Sequence, residues 1–280
     1  MPPRPSATER RFVLTLGGVV CGFVTSAEGG DISAPVIHEP GGAFVRKRLG
    51  PPAPTPIDLS FDLSLDKVVY EWIAQAWAGN ATPRGGSLIE LDPNNQARAE
   101  LTFENAVVAA STVPAMDAAS KTPCVLNVRL VAAVTGRHAP SGPAVGVTAK
   151  PKKAWLPSNF RLELGDLDTK RVSKVEAFTV PTGEKGAVDF PDLRVELAET
   201  SSEKWTSWHE EFVVQGKNDD QHEKVGALVF LAPDQKAELG SVKLAGVGIY
   251  RLARPPAREG QEQVSRIQAS LYCERMELAV

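Results

Sequence analysis

The feature that most constrains this chain is a string that occurs twice. RFVLTLGGVVCGFVTSAEGG (11–30) returns as NFRLELGDLDTKRVSKVEAF (159–178). One offset of 148 pairs Phe12 with Phe160, Leu14 with Leu162, Leu16 with Leu164, Gly17 with Gly165, Val24 with Val172 and Glu28 with Glu176. An unbroken register of this kind is the mark of a repeated structural unit, and the two copies are expected to share one local fold.

Taken alone, the first copy admits two readings. Arg10 and Arg11 before an apolar run, with Thr25-Ser26-Ala27 after it, have the pattern of a twin-arginine export signal. The other reading is a β-hairpin, because Gly17-Gly18 supplies the positive φ angles that a two-residue turn needs. In the second copy the turn pair is Gly165-Asp166, and the strand expected after it reads Leu167, Asp168, Thr169, Lys170, Arg171. An export signal's apolar region does not tolerate such charges, so a hairpin is expected over 11–27 and no cleaved signal.

The correspondence runs on. IDLSFDLSLDKVVYEWIAQAW (57–77) matches PDLRVELAETSSEKWTSWHEEF (191–212): Leu59, Phe61 and Leu63 align with Leu193, Val195 and Leu197, and a short aromatic helix follows. Thr200-Ser201-Ser202-Glu203 has capping-box spacing. SLIELDPNNQARAEL (87–101) matches ALVFLAPDQKAEL (227–239) through the shared Ala-Glu-Leu; Pro114 and Pro255 follow long strands, and 124–133 matches 265–275. At 280 residues the chain suits two domains, 9–138 and 155–280, joined by a Pro/Gly-rich linker over 139–154. Many short alternating strands with one short helix per domain predict a mainly β, antiparallel barrel or sandwich fold.

Composition narrows the function. Net charge is −3, with 13 Lys/Arg against 13 Asp/Glu up to residue 150 and 18 against 21 beyond it, which is not the footprint of a nucleic-acid binder. Basic spots at Arg46-Lys47-Arg48 and at Lys150, Lys152 and Lys153 read as solvated charge. No run of 18 apolar residues exists to span a membrane. Cys21, Cys124 and Cys273 fall at unmatched positions of the repeat and leave one over in any pairing, which disfavours a disulfide framework.

Signatures of catalysis are not found. His38, His138, His209 and His222 are scattered, and His209-Glu-Glu-Phe-Val lacks the second histidine of a zinc helix. Gly246-Val247-Gly248 runs into Ile249-Tyr250-Arg251 within a strand pattern, which suits close packing better than a phosphate cradle. Trp72, Trp77, Trp205 and Trp208 are read as packing residues, although aromatics of this kind also line sugar sites. The chain is expected to be no enzyme and to need no cofactor or metal.

The order Phe-x-Leu-x-Leu-Gly-Gly, Gly22-Phe23, Glu28-Gly29-Gly30, Arg46-Lys47-Arg48-Leu49-Gly50, Ile57-Asp58-Leu59 and Tyr70-Glu71-Trp72-Ile73 resembles the tail-tube proteins of contractile phages and phage-tail-like injection systems. The resemblance covers nearly all of the first domain and, more faintly, the second. It implies two tandem tube-like β-barrels that join side by side into rings with a continuous inner sheet, stacked into a tube that passes DNA or effector proteins without sequence-specific binding. It further implies that Arg46, Lys47, Arg48, Leu49 and Gly50 form a loop contacting the next ring, and that Tyr70, Trp72, Ile73, Trp205 and Trp208 pack the helices or their interface. Tube, sheath and baseplate or spike proteins would be the partners, and assembly would be cytoplasmic, without membrane insertion.

Two departures from that family stand out. The chain carries two such domains where one is usual. Glu28 to Asp58 spans 30 positions but Glu176 to Asp192 only 16, so about 14 residues of the ring-contact loop are missing from the second domain. Three chains forming a pseudo-sixfold ring at a hub, and six chains forming two layers, both satisfy the symmetry. An exported two-domain β protein with a tryptophan-lined carbohydrate or small-ligand pocket is the alternative.

Overall fold

The computed structural model describes residues 11–42, 44–92, 94–140, 155–182, 188–254 and 265–280. Most of the expected linker, with Lys150, Lys152 and Lys153, lies outside the described residues, as do Arg10 and Pro255. The first half runs β1 (Arg11–Leu16), β2 (Val19–Val24), β3 (Ser26–Gly29), β4 (Ile32–Ser33), β5 (Val36–Gly41), β6 (Phe44–Leu49), β7 (Ala53–Pro54) and β8 (Ile57–Phe61) into helix α1 (Lys67–Trp77). After it come β9 (Arg84–Leu91), β10 (Ala97–Val113), β11 (Met116–Asp117), β12 (Leu126–Val131) and β13 (Val134–His138). The second half runs β14 (Phe160–Leu164), β15 (Val172–Val175), β16 (Phe178–Pro181) and β17 (Leu193–Ala198) into α2 (Glu203–His209), then β18 (Lys224–Leu231), β19 (Glu238–Ala253) and β20 (Arg266–Ala279). A 3-10 turn (Glu199–Ser201) leads into α2 and a π-helical turn (Glu210–Val214) continues it. The fold is mainly β, with every pairing antiparallel and one short helical segment per half.

Residues 11–24 form the hairpin. Gly17 and Gly18 sit at φ of 56° and 84°, as a type I′ turn requires, and β1 is held between β2 and β9. Leu14, Leu16, Cys21 and Val24 point into the core. Helix α1 begins where the Asp66 side chain accepts the Val68 N–H, and it buries Val69, Tyr70, Trp72, Ile73, Ala76 and Trp77.

Strand pairing in the second half repeats that of the first at fixed offsets. Leu14↔Leu88 and Leu16↔Gly86 become Leu162↔Leu228 and Leu164↔Gly226. Leu101↔Leu88 and Ala106↔Arg84 become Val242↔Leu228 and Val247↔Lys224, with bulges at corresponding places. The bulge between Val108 and Ala110 opposite β12 returns between Ile249 and Arg251 opposite β20. Leu59 pairs with Val128 and Ala27, and Val195 with Ala269 and Val175.

Several local expectations are corrected. Residues 165–171 form turns and not a second hairpin strand, because the Asp168 carboxylate accepts the Lys170 N–H and closes a tight turn there. The strand before each helix aligns Ile57, Leu59 and Phe61 with Leu193, Val195 and Leu197, two residues from the expected register; Leu63 lies in a turn, and the missing loop is 12 residues rather than about 14. Ala-Glu-Leu 99–101 does not superpose on 237–239, since Leu101 takes the place of Val242. The capping box expected of Thr200 and Glu203 does not form: Thr200 lies in the 3-10 turn, α2 starts at Glu203 with Ser202 as its N-cap, and the Ser202 hydroxyl donates back to the Glu199 carbonyl at 2.7 Å.

Candidate assembly interface

The two halves meet edge to edge. Antiparallel edges are left wherever a strand has only one neighbour, and backbone groups there seek partners. At this joint β16 of the second half adds to β10 of the first, pairing Ala110↔Pro181, Ser111↔Val180, Thr112↔Thr179 and Val113↔Phe178. In return β11 of the first half adds to β15 of the second, pairing Met116 with Val175 and Asp117 with Lys174. Each half thus lends a strand to the other's sheet.

Side chains seal the exchange. Val180, Ser111, Val113 and Met116 are completely buried, and the Thr112 and Thr179 hydroxyls lie 2.8 Å apart. The Thr182 N–H donates to the Ala109 carbonyl at 2.9 Å, and its hydroxyl donates to the Val108 carbonyl. Trp77, at the end of α1, donates its indole N–H to the Ser111 hydroxyl at 2.6 Å and meets the Phe190 ring edge-on, with 6.3 Å between centroids. The end of α1 rests on β20, so one hydrophobic core runs through both halves.

A second feature stands away from the core. β4 and β7 make a short two-stranded stalk, from which β5 and β6 project as a separate hairpin. Arg46, Lys47, Arg48 and Leu49 lie on β6, a strand where a loop was expected, and Gly50 closes the hairpin by donating its N–H to the Pro35 carbonyl at 2.8 Å. Every residue of β6 is exposed: Phe44 at 83% and Leu49 at 74%. Glu39 pairs with Arg48 across the strands at 3.1 Å. Among the described residues, β5 and β6 pair only with each other, and they leave Val36, Ile37, Phe44, Val45 and Leu49 exposed.

Tyr70, Trp72, Ile73, Trp205 and Trp208 lie inside the core and not on its outside. The Tyr70 hydroxyl donates to the Asp62 carbonyl and accepts the Leu65 N–H, and burial raises its pKa well above the ordinary phenol range. Trp72 donates to the Thr82 carbonyl at 2.8 Å and lies under the Arg84 guanidinium, 5.9 Å from the ring centre. Trp208 repeats this with the His222 carbonyl at 3.3 Å and the Lys224 ammonium at 5.2 Å. Trp205 donates to the Asp168 carbonyl, and Ile73 is fully buried. None of the five tryptophans is more than 6% exposed, so none offers a ring face for stacking on a sugar.

The strand exchange was not expected from the sequence. Its signal was present in Phe178-Thr179-Val180-Pro181, an alternating run in the second half where the first half inserts the projecting hairpin.

No protein-family model matches the chain, and no curated protein matches it. Half of the chain is similar to chains in solved injection-system particles. One belongs to the cryo-EM structure of the tube-terminating cap of the anti-feeding prophage, with 25% identity over 93% of that chain and a TM-score of 0.39. Another belongs to the extended sheath–tube complex of the extracellular contractile injection system PVC, with 20% identity over 93% of that chain and a TM-score of 0.40. A third belongs to the baseplate of the anti-feeding prophage, with 8% identity over 98% of that chain and a TM-score of 0.39. These neighbours are thus components of cap, tube and baseplate structures.

Proposed function

We propose that this chain is a structural, ring-forming component of the tube, or of the hub joining tube to baseplate, in a phage tail or contractile injection system. It carries no catalytic role. Its rings enclose a channel through which DNA or effector proteins pass without sequence-specific contacts. The observation that carries this reading is the joint itself: two units of like topology sit side by side in one chain and complete each other's sheets. A contact of this head-to-tail kind, repeated around an axis, closes into a ring.

Among the described residues one hairpin projects, and it gives such a ring two unlike faces. One face carries Arg46, Lys47, Arg48, Leu49 and Gly50 toward a neighbouring ring, sheath or spike component, and only one unit in two supplies it. That asymmetry favours a specialised ring at the end of a tube over a polymerising tube subunit. Assembly takes place in the cytoplasm, without membrane insertion; none of the described helices is long and apolar enough to span a bilayer.

Negative-stain imaging of the purified full-length protein tests the reading. Annular particles with a central hole are expected, singly or in short stacks. Monodisperse particles of single-chain size at tens of micromolar would overturn it.

A further inference from the structure

We infer that a second copy of this chain docks its Gly30–Ser33 segment onto the open edge of β19 at Arg251–Arg254, repeating between chains the joint that β16 makes with β10 within one. This rests on the ring reading and gives it a specific interface. Fixed offsets transfer the contact. β10 maps onto β19 at an offset of 141, preserving its pairing with the neighbouring strands and the bulge, so Ser111 corresponds to Leu252 and Thr112 to Ala253. β3 maps onto β15 at 148, so Val180 corresponds to Ile32 and Thr179 to Asp31. Within the chain Ser111 faces Val180 and Thr112 faces Thr179; between chains Leu252 then faces Ile32 and Ala253 faces Asp31.

Both edges are in a state to pair. β19 has β20 along 251–253 on one side, and among the described residues no strand lies on the other side of that stretch. On β4, the Thr55 N–H donates to the Asp31 carbonyl and Pro54 has no N–H to give. The stalk's bonds therefore run through the residues flanking Ile32, and Ile32 turns its own N–H and C=O away from β7. Ile32 is 60% exposed where its counterpart Val180 is fully buried, which is the difference between an unfilled joint and a filled one.

The helix end supplies a second, separate observation. At the internal joint Trp77 and Ala78 lie beside Glu274–Glu277 of β20. Transferring the offsets puts Val213 and Val214 in the roles of Trp77 and Ala78, and Ala133–Gly136 in the role of the β20 segment. Val213, Val214 and Val134 are 43%, 63% and 53% exposed. Val213 is thus uncovered at the place where its counterpart Trp77 is buried at the internal joint.

The test uses the full-length chain with Asp31→Cys and Ala253→Cys made separately and mixed. The pair copies Thr112 and Thr179, whose hydroxyls touch, and a close cross-strand pair of this type meets the Cα separation a disulfide needs. The native cysteines are buried and stay out of the reaction. Under mild oxidation the mixture is expected to give covalent dimers that neither variant gives alone, and a chain carrying both substitutions is expected to give a ladder ending at the ring. Val213→Glu is expected to weaken association at least tenfold while leaving the thermal transition in place. Rings that form without this disulfide, and that tolerate Val213→Glu, would overturn the interface while leaving the ring reading intact. Wild-type protein that does not associate at all would overturn both.

Discussion

A Cβ added to Gly86 would stand 2.1 Å from the Thr15 carbonyl oxygen, and one added to Gly226 would stand 2.0 Å from that of Glu163. These glycines occupy one position in the two halves, and each lets the following strand pass close over the first. Gly86→Ala and Gly226→Ala are each expected to cost about 1–3 kcal/mol through forced backbone shifts, read from urea unfolding midpoints. Trp72→Ala and Trp208→Ala remove fully packed indoles and should each cost about 3–5 kcal/mol. The cysteines give a pH test. Burial pushes Cys21 to about 11 and Cys124 to about 12, and raises Cys273 as well. A thiol that titrates higher in the folded state than near 8.5 holds its proton longer when folded, so stability is complete below that value and declines as pH rises toward 11–12. Thiol alkylation at pH 8 should accordingly be far slower in native protein than in urea. Equal rates would contradict the burial.

At the scale of elements, the β5–β6 hairpin contributes almost nothing to the core. Replacing 36–49 with a short turn is expected to move the thermal midpoint by no more than about 2 °C, as for other surface changes in a chain of this size. The same deletion should abolish stacking of one ring on the next in electron micrographs. A large loss of stability would mean that the hairpin packs against its own chain. Elements were legible in the sequence where a local rule decides them: alternation around Leu14 and Leu16, Gly17-Gly18 at the turn, aromatics on α1. The basic run 46–50 was not legible as a strand, because among the described residues β6 is paired only with β5 and gains no burial that would impose an alternating pattern. Thr200 shows the limit of a motif: its spacing to Glu203 is that of a capping box, yet the 3-10 turn takes up Thr200 and α2 starts only at Glu203. Residues 165–171 show another, where side-chain turns at Asp168 prevailed over likeness to the first copy.

At the scale of the molecule, one core links both halves, so the chain should unfold in a single transition with calorimetric and van't Hoff enthalpies in agreement. Residues 11–140 expressed alone would expose Val113, Met116 and Trp77 and should aggregate rather than fold. Two separate transitions would show that the strand exchange couples the halves only weakly. The joint escaped the sequence because pairing between distant strands leaves no spacing to read: Ser111 and Val180 are ordinary residues until topology brings them together. Between copies, the chain's two ends are expected to repeat its internal joint until a ring closes. Native mass spectrometry of the protein counts the copies in that assembly. A closed species of three chains, or of six, with no ladder of larger open chains, is the predicted result. A single-chain species persisting at tens of micromolar, or symmetric dimers alone, would contradict it.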